Sequence, residues 1–100
     1  MSLRTLHRQA IDKYKEATSA QEEGNDTLYE KLLQEAFELE KSAAELLFDK
    51  KEAEPTRSIL YRSAANLALH CYNYSEANKL AIEGLNGNPF IELKLELGKL

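Results

Sequence analysis

Apolar positions along this chain recur at helical spacing. Over residues 2–23, Leu3, Leu6, Ala10, Tyr14 and Ala17 fall three and four apart and predict one helix with a single apolar stripe. Gly24 suits the left-handed position just past a helix C-terminus. Asp26 is then expected to cap a second helix, with Glu30 in its first turn. That helix, about residues 27–51, carries two stripes. Leu28, Leu32, Ala36, Leu39, Ala43 and Leu46 form one; Tyr29, Leu33, Phe37, Ala44, Leu47 and Phe48 form the other. Two apolar sides predict two neighbours, so this helix is expected between the first and the third. Its remaining face, with Glu38, Lys41 and Glu45, reads as solvated.

Pro55 suits the first turn of a third helix, about 55–72, because its missing N–H would be unpaired there. This is the least polar segment. Only Arg62, Asn66, His70 and Asn73 form a polar strip along it, and it is expected at the centre of the core. Asn73 with Glu76 predicts the start of a fourth helix, and Ala77, Leu80, Ala81, Gly84 and Leu85 give it a full amphipathic pattern. In residues 89–100, Ile91, Leu93, Leu95 and Leu97 alternate as in a strand, whereas Phe90, Leu93, Leu97 and Leu100 are spaced as in a helix. A lone strand in a helical chain has nothing to pair with, so helix is favoured. The expected organisation is one domain: a long hairpin (1–54), a helix pair (55–88) and a C-terminal helix (89–100).

Composition narrows the function more than the fold. With 100 residues, 43% of them hydrophobic and a net charge of −4, the chain has one core's worth of apolar sequence. A single cysteine excludes a disulfide framework, and no Cys/His cluster has the spacing of a zinc site. His7 and His70 fit no metal motif, and no Gly-rich loop precedes a helix to cradle phosphate. No catalytic residue, metal or cofactor is therefore expected. Cys71 beside His70 reads as a small buried hydrophobe, because adjacent helical residues point in different directions. The negative net charge and the lack of a basic stripe argue against nucleic acid. No apolar run is long enough to span a membrane. The start, Met1-Ser2-Leu3-Arg4, leads into charged sequence and not into a leader, so a cytoplasmic location is expected. Charge is uneven: residues 1–15 sum to +3, 16–54 to −8 and 55–100 to +1. A basic start therefore adjoins an acidic middle, which can steer charged partners.

The stretch 61–89 resembles a tetratricopeptide repeat (TPR). Tyr61 matches the aromatic that opens the first helix of such a repeat, and Ala64-Ala65 the large–small pair that follows. Tyr74 and Ala77 match the start of the second helix, Gly84-Leu85 the small residue near its end, and Pro89 the closing proline. Tyr72 stands where the turn between the helices often has Gly. The resemblance implies an all-α, right-handed antiparallel array of about five helices. It also implies a non-catalytic protein- or peptide-binding module, acting as a scaffold or adaptor.

In that family the face carrying Arg62, Asn66, His70 and Asn73 lines a concave groove. A basic residue and an Asn one turn apart there hold a peptide's C-terminal carboxylate, and Arg62 and Asn66 match that pair. Arg offers a fork of donors to a carboxylate, and Asn adds a donor and an acceptor. The alternative is structural: Arg62 pairs with an acid of the second helix, and the chain is a helical homo-oligomer with no ligand in the strip. The leucines of 89–100 are apolar on more than one side, and a homodimer through that segment is expected from them.

Overall fold

In the computed structural model of the chain, residues 1–87 are described. Among them the protein is all-helical: α1 (Leu3–Glu22), α2 (Asp26–Glu45), α3 (Thr56–His70) and α4 (Tyr74–Leu85). Each helix packs on the next in chain order, so α2 lies between α1 and α3 as its two stripes predict. The expected helix over 89–100, with Pro89, lies outside the described residues.

Both short turns are built the same way. At the end of α1, Gly24 N–H donates to Gln21 O and Asn25 N–H to Ala20 O, at 3.0 and 2.9 Å. At the end of α3, Tyr72 N–H donates to Leu69 O and Asn73 N–H to Ala68 O, at 2.9 and 2.8 Å. This pair of bonds is a Schellman cap, which needs a left-handed residue at its turning point. Gly24 (φ 78°) and Tyr72 (φ 60°) fill that place. The next residue caps the following helix in each case: Asn25 Oδ1 accepts from Leu28 N–H and Asn73 Oδ1 from Glu76 N–H. The cap of α2 is thus Asn25 and not the expected Asp26, which instead places its charge in the helix's first turn. Asn wins because it follows the left-handed residue directly and both closes one helix and opens the next.

The connection between α2 and α3 departs from expectation. The pattern predicts helix to residue 51, yet α2 ends at Glu45 and residues 46–55 form successive turns. Arg57, which is fully buried, is the reason. Its Nε donates to Leu47 O at 3.0 Å and its Nη2 to Phe48 O at 3.1 Å. These carbonyls belong to the residues just past α2, and the guanidinium satisfies them from α3. The same guanidinium pairs with Glu83 at 2.6 Å, donates to Glu83 O at 3.0 Å, and lies 4.9 Å from the centre of the Tyr61 ring. Glu54 accepts from Ser58 N–H and Ser58 Oγ, at 2.9 and 2.6 Å, and so replaces the side-chain cap that Pro55 cannot supply. Gly87 abuts this cluster: a Cβ there would come within 2.7 Å of Glu54 Oε2 and 2.8 Å of Arg57 Nη1.

Small residues set the spacing of the helices. Ala17, Ala36, Ala43, Ala44, Ala64, Ala65 and Ala68 are wholly buried and let backbones approach closely, while Leu33, Phe37, Leu60 and Tyr61 fill the volume between. Burying each of the larger side chains is worth about 1.5–3 kcal/mol. Of the residues in the TPR-like pattern, Tyr61, Ala64, Ala65, Ala77 and Gly84 are buried. Tyr74 and Leu85 are instead 63% and 37% exposed. Tyr74 is the first residue of α4 and packs edge-on against Tyr72, with ring centres 6.5 Å apart, on the outside of the turn. Lys41, expected on a solvated face, ties α2 to α4 through Glu76 at 2.7 Å. That bond and the neighbouring carboxylates push its ammonium above the usual lysine value. No helix among the described residues is long and apolar enough to cross a membrane.

Candidate functional site: a groove between α1 and α3

Alternate helices of the array, α1 and α3, face each other across a groove of about 460 Å³. That lies within the range of roughly 300–1,000 Å³ usual for ligand clefts. From α1 it is lined by His7, Ala10, Ile11 and Tyr14. From α3 it is lined by Ile59, Arg62, Ser63, Asn66, Leu67 and His70. Three of the four strip residues, Arg62, Asn66 and His70, therefore share one wall. Their spacing of four brings them there, since residues one turn apart stand above one another on a helix. Asn73 does not join them: it lies past the end of α3 and its side chain is spent on capping α4.

Glu40 forms the floor. It comes from α2, is 2% exposed, and would be costly to bury alone. His7 Nδ1 lies 2.8 and 3.1 Å from its two oxygens, and Ser63 Oγ donates to Oε2 at 2.6 Å. One carboxylate thus joins three helices. Where Nδ1 donates to the carboxylate, Nε2 is the remaining ring nitrogen of His7. Ser63 donates to the carboxylate and not to the imidazole. No group of three or more His, Cys, Asp or Glu side chains among the described residues is placed to hold a metal ion.

His7, Tyr14, Glu40 and Ser63 were not singled out by sequence reasoning as parts of a site. Two of them left a signal. Glu40 sits three residues after buried Phe37 and three before buried Ala43, a charge at a core position. Ser63 lies four residues past Ile59 and three before Asn66, on the same face as the polar strip. His7 and Tyr14 become visible only when α1 is laid beside α3.

A second cleft, of about 580 Å³, opens at the end of the molecule where the two turns meet. It is lined by Asp26, Tyr29 and Glu30 near the first turn and by His70, Cys71 and Tyr72 near the second. His70 borders both hollows. Burial, then the nearby Tyr14, Tyr72 and Cys71, push the Tyr29 hydroxyl above its usual value. Burial, then Glu38, pushes the Cys71 thiol up, which keeps it protonated and poorly nucleophilic. No protein-family model matches this chain, no curated protein is detectably similar to it, and no solved structure matches it.

Proposed function

We propose that this chain is a non-catalytic protein- or peptide-binding module of TPR-like type, a cytoplasmic scaffold or adaptor. In this reading the four described helices begin a right-handed array of about five. The observation that carries it is the placement of Arg62, Asn66 and His70 opposite His7, Ile11 and Tyr14 across one groove. Polar donors on one wall and apolar surface on the other suit the end of a peptide: a carboxylate held by Arg62 and Asn66, and a side chain laid on Ile11 and Tyr14. The repetition of one turn geometry at Gly24-Asn25 and Tyr72-Asn73 supports two hairpins of one kind. Two hairpins are what a groove between their first helices requires.

The test is affinity capture from the source cell with the wild type and with Arg62→Ala/Asn66→Ala, both checked for equal thermal unfolding. Loss of a specific co-purifying protein supports the groove. Its C-terminal peptide, free or amidated, then reads the chemistry. Amidation should weaken binding about tenfold or more, the worth of a hydrogen bond to a charged group. An unchanged set of partners overturns the reading.

Exposed Leu46, Phe48 and Ile82 (46%, 49% and 51%) favour a second reading, a structural homo-oligomer without a ligand. Light scattering on the full chain and on one ending at Asn88 separates a dimer built through the C-terminal segment from a monomer.

A further inference from the structure

The two turns offer an internal comparison. At the same left-handed position one has Gly24 and the other Tyr72. A glycine is at ease there and a tyrosine is not. Packing does not explain the tyrosine, since Tyr72 is 77% exposed and its ring contact, Tyr74, is 63% exposed. What Tyr72 does border is the cleft between the turns.

That cleft has a definite chemistry. Tyr72 and Tyr29 supply aromatic surface, and Asp26 and Glu30 supply two carboxylates. Neither carboxylate has a hydrogen bond or ion pair among the described residues, and no lysine or arginine lines the cleft. Among the described residues His70 is the only basic side chain on its rim. An anion is repelled here, and a wholly apolar segment would leave two charges covered without partners. A bare metal ion finds too few ligating side chains. A guanidinium matches both features at once: its plane stacks on aromatic rings, and its fork of donors meets carboxylates. Exposed Glu22 and Glu23, at the end of α1, add negative charge at the same turn.

We propose that the cleft between the two turns binds an arginine-bearing segment of a partner protein. The guanidinium lies against the Tyr72 and Tyr29 rings, and Asp26 and Glu30 meet its charge. The proposal does not depend on the groove between α1 and α3, which takes a ligand of opposite charge.

The test uses the full chain and a fluorescein-labelled, acetylated and amidated peptide of alternating arginine and glycine, read by fluorescence polarisation. Such a peptide has no terminal carboxylate, so its binding is independent of Arg62 and Asn66. Saturable binding is expected, with loss of about tenfold or more when citrulline replaces arginine. Tyr72→Gly suits the turn and keeps the fold, which thermal unfolding verifies. It should weaken binding by about fivefold to tenfold, the scale of one cation–π contact. Asp26→Asn/Glu30→Gln should weaken it further and flatten its dependence on salt. Three results overturn the proposal: no saturation at about 1 mM protein, a weak affinity by any measure; equal binding of the citrulline peptide; or Tyr72→Gly binding as tightly as the wild type. Concentration-dependent growth in mass that Tyr72→Gly abolishes also overturns it, because it assigns the cleft to the basic start of a second copy.

Discussion

The two ends of the second hairpin are held by different physics. At the turn end, α3 closes and α4 opens through a local device: a Schellman cap, a left-handed residue and an Asn cap, all within residues 68–76. At the other end, the start of α3 and the end of α4 meet through Arg57 and Glu83, 26 residues apart in sequence, with the loop after α2 gathered onto the same guanidinium. The first kind of closure is backbone hydrogen bonding that a short peptide can begin to form. The second is a buried charge whose donors reach two other parts of the chain, residues 47–48 and Glu83. The first should therefore fail gradually when changed, and the second abruptly.

Replacing Arg57 is the severest way to break this comparison. Arg57→Met leaves Glu83 without its partner and takes the guanidinium donors from the Leu47 and Phe48 carbonyls, of which Leu47 O keeps Lys50 N–H, and should cost about 3–5 kcal/mol in urea denaturation. A loss below about 1 kcal/mol, the scale of an exposed pair, would show that the cluster is no more than surface electrostatics.

Smaller effects come from the turns and sharpen the claim that they are equivalent. Asn25→Ala and Asn73→Ala should each cost about 1 kcal/mol, the worth of one side-chain cap. Similar losses support a common turn, whereas a clear inequality separates the two hairpins.

The smallest effect concerns Tyr61, under the Arg57 guanidinium. Its buried hydroxyl has no hydrogen-bond partner among the described residues. Burial pushes it above its ordinary value of 10.0, against the opposing pull of Arg57. The folded chain therefore keeps this proton at a pH where the unfolded chain releases it. Stability should be unaffected by this group below pH 10 and should fall as pH rises through and beyond 10. Tyr61→Phe should flatten that alkaline slope in thermal unfolding and change little at neutral pH.

The candidate groove was half legible in the sequence. Arg62, Asn66 and His70 announce themselves as the polar strip of an apolar helix, because spacing along one helix is local information. Their opposite wall does not. His7, Ile11 and Tyr14 read as parts of an ordinary α1, and only the fold shows Ile11 and Tyr14, 41% and 44% exposed, lining a hollow beside α3. Glu40 reads as one acid among many until His7 and Ser63 are seen to converge on it from two other helices.

What the sequence determines by itself is the set of helices and most of their ends. Apolar periodicity, Gly24 and the asparagines act within a few residues of one another, and the backbone answers to them directly. Tertiary structure alone decided that α2 stops at Glu45 and that Arg57 is buried. Each depends on groups distant in the chain that satisfy a charge or a carbonyl. Pattern along a chain records which side of a helix is buried, but not which charge waits on the other side of the core.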